Sequence, residues 1–351
     1  MGDLPVIDIA PLRQGAGPRD RVVQELDRAC SETGFFYVVG HGVSPALQQQ
    51  LDTAARAFFA LPDEQKARVA MDRGGRAWRG WFPLGGELTS GVPDRKEGLY
   101  FGAELGPDHP RVAAGVPLHG ANLFPAHPAA LREAVLAYLD ALTDLGQLLA
   151  RGLALALGLD GDWFATHLTA DPTILFRIFR YPPTGTTGHD PSRQWGVAEH
   201  TDYGLLTMLL QDPVGGLEVR TPSGWTAAPP IPGTFVCNLG DMLERMTGGR
   251  YRSTAHRVRN TTEHDRLSFA FFFDPSWDAV VEALPLAGDP TAEAGPRWDG
   301  ANLHGYRGTY GDYLLAKVAK VFPQLGGEVL HHPGTEARPD PDPDPCTSAG
   351  Q

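Results

Sequence analysis

At 351 residues, 42% hydrophobic and 21% charged, the chain is long enough for one large domain or two ordinary ones with a sizeable core. A formal charge of −12 argues against nucleic acid as a partner, because phosphate binding needs a basic surface. No apolar run approaches the roughly 20 residues of a membrane span, and the N-terminal MGDLPVIDIAPL lacks the basic and apolar regions of a secretory signal.

In chain order, PRDRVVQELDRACSETG (18–34) repeats apolar residues at helical spacing and stops at Gly34, a C-cap signal. FFYVVGHGV follows as a short strand ended by glycine. Residues 44–70 read as helical around Leu51 and Phe58, and residues 73–125 as an irregular stretch rich in glycine and proline. So long a connection in a compact chain is more often functional than idle. Residues 128–158 carry the strongest helical pattern, with Gly158 at its end. Beyond them the period changes to alternation. The predicted strands are ILFRIFRY (174–181), LLTMLLQ (205–211), LEVR (217–220), TFVCNLG (234–240), YRSTAHRVRN (251–260) and RLSFAFFF (266–273). TYGDYLLAKVAKVFP (309–323) returns to helix, and the Pro/Asp-rich end, EARPDPDPDPCTSAGQ, is expected to be disordered.

This order predicts a fold that is mainly β with α, a double-sheet barrel backed by helices. One structural unit is expected, divided into an N-terminal region (1–125), a β domain with its backing helix and C-terminal helix (126–325), and a tail (326–351). Cys30, Cys237 and Cys346 are too scattered for a disulfide framework or a zinc cluster, so a reducing cytoplasm is the expected compartment.

The chemistry begins at EHTDYGLLTMLLQD (199–212), where His200 and Asp202 stand two apart before an apolar run. On a strand they share one face and form half of a metal site. His256, in the middle of a β-type stretch, is the candidate third ligand. Ten residues later, Arg266, Ser268, Ala270 and Phe272 share a face of the next strand. An arginine on such an apolar strand is costly unless it meets an anion. A guanidinium and a hydroxyl two residues apart suit a carboxylate through charge-assisted bonds. An isolated H-x-D or R-x-S specifies little, but here all the parts fall in the β half. Two histidines and a carboxylate leave open coordination positions, the pattern of non-haem Fe(II) oxygenases. Zinc takes such ligands too, but the helical H-E-x-x-H of zinc proteases is absent.

With these motifs the chain resembles the isopenicillin N synthase-like Fe(II)/2-oxoglutarate-dependent oxygenases over about residues 3–325. LPVIDIAPL and ACSETGFFYVVGHGV look like that group's N-terminal region; EHTDYGLLTMLLQD, the stretch from GGLEVR to RVRN, and DRLSFAFFFDP look like its oxygenase core. The resemblance implies a double-stranded β-helix (jelly roll) in which His200, Asp202 and His256 hold Fe(II). It implies that Arg266 and Ser268 bind the distal carboxylate of 2-oxoglutarate, with Tyr181 assisting. It also implies consumption of O2 and release of succinate and CO2 as a small-molecule metabolite is oxidised, most commonly by hydroxylation. An amino-acid derivative or a secondary-metabolism intermediate is the expected substrate type.

Two alternatives share these motifs: an Fe(II) oxidase that needs no 2-oxoglutarate, and an ethylene-forming-type enzyme. A jelly-roll binding module without chemistry is disfavoured, since it has no need of three inward metal ligands. Glu87 and Thr89, in GGELTSG (85–91), are similar to a substrate-binding segment of the ethylene-forming relatives and are candidate substrate contacts, with loop capping as the competing role. Arg177 shares strand parity with Tyr181 and either points inward or closes a salt bridge at a strand edge. Tyr203 faces away from the ligands on an ideal strand but reaches the pocket rim if the chain turns there. Phe272 is a candidate pocket wall. DRKEGLYFG (94–102) and residues near 300–313 are expected to line or support the same cleft. His41 is read as structural, His189 and His264 as solvated, and His331 and His332 as unconnected with metal.

Overall fold

The computed structural model describes residues 4–14, 19–89, 91–183, 195–286 and 306–322. The Pro/Asp tail, His189, His331, His332, Cys346 and residues 300–305 lie outside these ranges. No helix among the described residues is long and apolar enough to cross a membrane.

The apolar run Leu206–Gln211 and the phenylalanine-rich Arg266–Ser276 pair antiparallel in the middle of an eight-stranded sheet. Its order is Val6–Asp8, Phe35–Val39, Phe235–Leu239, Leu206–Gln211, Arg266–Ser276, Pro172–Tyr181, Glu97–Gly102 and Gly80–Phe82. A four-stranded sheet, in the order Gly224–Ala227, Leu217–Thr221, His256–Val258 and Val197–His200, contributes the two histidines. Together the sheets form the jelly roll. Side chains alternate along the strand from Arg266, so Phe271 and Phe273 are fully buried in the core while half-buried Phe272 lines the cavity.

The helix Ala130–Ala156 backs the barrel. Its inward leucines, Leu131, Leu142 and Leu149 among them, recur at helical spacing and are fully buried, and the helix meets the helices Arg19–Glu32 and Pro45–Phe59. Arg19–Glu32 ends as its glycine predicts: Gly34 has φ +66°, and a Cβ there would lie 2.1 Å from the Arg252 carbonyl oxygen.

Several boundaries differ from the sequence reading. The helix expected over 44–70 stops at Phe59; past Pro62 only a four-residue helix and two 3-10 turns follow. Proline there removes an amide donor and cannot continue the first helix. The stretch 73–125 is not irregular throughout, since Gly80–Phe82 and Glu97–Gly102 are strands of the large sheet. Glu97–Gly102 is buried at every position, so no alternation marked it. Only His256–Val258 of the expected strand 251–260 forms, next to a register shift, and the short strand Gly224–Ala227 was not anticipated.

Candidate active site

His200 is the last residue of its strand, and Asp202 lies beyond it in a turn. The two therefore meet through the turn and not through strand alternation. The same turn brings Tyr203 to the cavity wall. His256 lies directly opposite His200 in the antiparallel pair, with ring centroids 4.2 Å apart. Each histidine Nε2 is 3.8 Å from Asp202 Oδ1, and one ligand atom from each of the three lies within 4.8 Å of the others. Metal–ligand bonds of about 2.0–2.2 Å span a 3.8 Å separation.

The partners of these side chains fix which atoms face inward. His200 Nδ1 donates to the Ala198 carbonyl at 2.8 Å and His256 Nδ1 to that of Thr254 at 3.2 Å. A carbonyl only accepts, so both Nε2 atoms keep their lone pairs for a metal. Asp202 Oδ2 accepts from Thr207 Oγ1 at 2.6 Å and from Asn238 Nδ2 at 2.7 Å, which leaves Oδ1 toward the histidines. Burial and neighbouring His200 hold the His256 imidazole down to about 4, and burial lowers His200 as well. Burial pushes the Asp202 carboxyl up, but the two imidazoles and the bonds from Asn238 and Thr207 outweigh it and keep it below its usual value. Two neutral nitrogens and one carboxylate oxygen result, the donor set of a non-haem Fe(II) site.

The cavity at the triad has a volume of about 1350 Å³. Arg266, 0% exposed, reaches into it beside Ser268. Arg266 Nε donates to the Gly215 carbonyl and Nη2 to Gln211 Oε1 at 3.3 Å, while the buried Nη1 has no partner among the described residues. The Tyr181 ring lies 4.6 Å from the guanidinium, and its hydroxyl is 3.3 Å from Ser268 Oγ. A fully buried guanidinium with a spare donor next to two hydroxyls fits a carboxylate. Iron and a 2-oxo acid thus fit the residues present.

Glu87 is buried and lines the same cavity. It accepts from the Tyr100 hydroxyl, pairs with Lys96 Nζ at 2.9 Å, and lies 3.6 Å from Arg177 Nη1. Burial raises its carboxyl, but Lys96, Arg177 and Tyr100 together hold it below its usual value. Thr89 donates to Asp94 Oδ2 at 2.7 Å, and Lys96 reaches the same oxygen at 2.6 Å. Glu87 and Thr89 thus both line the cavity and both already have partners within the chain. Arg177 points inward, its guanidinium between the rings of Tyr100 (4.4 Å) and Phe272 (4.8 Å). His41 is a structural residue: Nε2 donates to the Gly233 carbonyl, so Nδ1 accepts from Val43 N.

The sequence reading placed the segment 94–102 and residues near 300–313 at the cleft, and Lys96 and Tyr310 line it, but it assigned no role to Lys96, Tyr100, Thr207, Asn238 or Asp274; the expected helix, Tyr310–Val321, also brings Leu314 and Lys317 to the cavity. Asn238 carried a usable signal, a lone amide in the apolar strand Phe235–Leu239, which requires a buried partner.

When bound, iron with 2-oxoglutarate and O2 supplies the oxidising power. The chain's own residues hold the ligand tautomers, keep Asp202 ionised and place the Glu87–Arg177 pair at the cavity wall.

Residues 4–127 match the model for the N-terminal region of the non-haem dioxygenase in morphine synthesis, and residues 172–275 match that of the 2OG-Fe(II) oxygenase superfamily. A probable iron/ascorbate oxidoreductase of Dictyostelium discoideum is 45% identical, covering 93% of this chain and 97% of that protein. A homoarginine-6-hydroxylase of Glycine max is 38% identical over 92% of this chain and 98% of that protein. The crystal structure of a Neurospora crassa protein in complex with alpha-KG and thymine superposes with a TM-score of 0.72 at 26% identity, covering 90% of this chain and 96% of that one. With the His200–Asp202–His256 triad formed inside a jelly roll, the chain belongs to the 2OG-Fe(II) oxygenase superfamily and is an Fe(II)/2-oxoglutarate-dependent dioxygenase.

Proposed function

We propose that this dioxygenase hydroxylates a small amino-acid-like metabolite, one carrying both a carboxylate and a cationic or donor-rich group. The observation that carries this reading is the Glu87–Arg177 separation of 3.6 Å, too long for a hydrogen bond, at the cavity wall. Each group keeps capacity for a partner: Glu87 for a donor and Arg177 for an anion. A zwitterion answers both. The homoarginine hydroxylases among the relatives support the same class. In this reading Arg266, Ser268 and Tyr181 hold the distal carboxylate of 2-oxoglutarate, and Tyr203 and Phe272 shape the substrate chamber.

The test is a panel of amino acids and their derivatives, arginine and homoarginine included, incubated with Fe(II), 2-oxoglutarate and O2. A mass gain of about 16, one oxygen atom, on an amino-acid substrate, matched by succinate, is the expected result. Stoichiometric oxidation confined to uncharged metabolites would overturn the assignment.

A further inference from the structure

The strand carrying Arg266 and Ser268 continues on the same face to Asp274, which the reaction described above does not use. Asp274 is 3% exposed and forms part of the cavity wall. Its Oδ1 accepts from Leu205 N at 3.0 Å and its Oδ2 from the Tyr310 hydroxyl at 2.6 Å. These donors come from elements far apart in sequence. Leu205 stands three residues after the metal ligand Asp202, in the turn that also carries Tyr203. Tyr310 opens the helix Tyr310–Val321, whose face of Tyr310, Leu314, Lys317 and Val321 lines the cavity. The carboxylate is pressed against the turn: a Cβ at Gly204 would lie 1.4 Å from Asp274 Oδ1, so only glycine fits there.

We propose that Asp274 is a positioning residue that ties the helix Tyr310–Val321 at the cavity to the turn bearing Asp202. A side chain needed only to fill this space would be apolar, because burying a carboxylate costs free energy unless donors compensate. Here one carboxylate commits each of its oxygens to a different element. The Leu205 arm fixes the backbone behind Asp202, alongside the bond from Asp241 N to the Asp202 carbonyl at 2.8 Å. The Tyr310 arm fixes the first turn of the helix, whose own cap is the reciprocal Thr309–Asp312 pair. One side chain thereby braces both the turn behind the metal site and the first turn of the helix.

Three variants separate the arms. Tyr310→Phe removes only the helix arm. It is expected to speed amide hydrogen exchange across Tyr310–Val321 by about tenfold, while Fe(II) affinity, titrated without oxygen, stays within about twofold. Asp274→Ala removes both arms, so it is expected to show the same exchange and to lose about tenfold or more in Fe(II) affinity. Asp274→Asn can still accept from Leu205 N and donate to the Tyr310 oxygen, and is expected to match wild type in both measurements. The proposal is overturned if Tyr310→Phe weakens Fe(II) binding as much as Asp274→Ala does, or if Asp274→Asn behaves like alanine. Should Asp274→Ala not fold, unchanged exchange in Tyr310→Phe would overturn it alone.

Discussion

Arg266 and Tyr181 face each other directly across two antiparallel strands, and the guanidinium lies 4.6 Å from the centre of the phenol ring. The ring and the Gly215 carbonyl hold the charge in place while leaving Nη1 free for an anion. Removing it should therefore act on the co-substrate before anything else. Arg266→Ala is expected to raise the 2-oxoglutarate requirement by more than about tenfold, since a charged hydrogen bond contributes roughly 1.5–3 kcal/mol. Ser268→Ala, which loses a neutral contact, should do less. Substrate-free succinate formation measured against 2-oxoglutarate concentration reads both, and an unchanged requirement in Arg266→Ala would remove the arginine from the co-substrate site.

The metal ligands stand on short strands and a turn, and few core contacts depend on them. His200→Ala, Asp202→Ala or His256→Ala should each abolish turnover while the circular-dichroism spectrum stays that of wild type. Asn238→Ala tests the support behind them, because it takes one of the two donors from Asp202 Oδ2. A loss of about 10–100-fold in iron affinity is expected. Full activity in any ligand variant with iron demonstrably bound would dismiss the triad.

Much of this site was legible because its chemistry is written in short local patterns. H-x-D and R-x-S each place two functional groups within three residues, and the alternation of the strand Arg266–Ser276 carried Arg266, Ser268 and Phe272 to one face. What stayed hidden depends on long-range contact. Tyr310 reaches Asp274 across 36 residues of chain, and Asn238 reaches Asp202 across the same distance. Neither pairing leaves a mark at any fixed spacing. Glu97–Gly102 escaped notice for a different reason: a strand buried on both faces has no polar phase to alternate against. The His200–Asp202 pairing was found by an argument that fails in detail, since the strand ends at His200 and the turn brings the two side chains together.

Asp274 also gives the fold a pH dependence of calculable sign. Burial, followed at a distance by the charge of Asp202, pushes its carboxyl up to about 7, although Tyr310 and Leu205 donate to it. An unfolded aspartate ionises near ~3.9. Between those values the folded chain keeps a proton that the unfolded chain has released, so stability falls as pH rises and levels off above about 7. The loss over that window is on the order of 4 kcal/mol. Asp274→Asn cannot ionise. Denaturant unfolding of the metal-free protein should find it more stable than wild type at about pH 8, above both ionisations, with the advantage shrinking toward about pH 5. An advantage of constant size across that range would show that Asp274 does not titrate in this window.

The acid–base cluster at the cavity wall offers the sharpest test of the proposed selectivity. Glu87, Asp94, Lys96 and Arg177 are four charges of zero sum, three of them at most 4% exposed. Glu87→Gln makes the sum positive and removes the only carboxylate paired with Arg177 among the described residues. It keeps the shape, and its carbonyl can still accept from Tyr100. Breaking a buried pair in this way costs about 3–5 kcal/mol, so a lower melting temperature is expected alongside any change in catalysis. The two effects separate in the coupling ratio. If Glu87 meets a donor on the substrate, product per succinate should fall sharply, while 2-oxoglutarate decay without substrate stays near that of wild type. If Glu87 serves only to neutralise Lys96 and Arg177, stability alone should fall, with the coupling ratio and substrate KM unchanged. That second result would leave cationic groups such as Arg177 to meet the substrate and would argue for an anionic metabolite over a zwitterion.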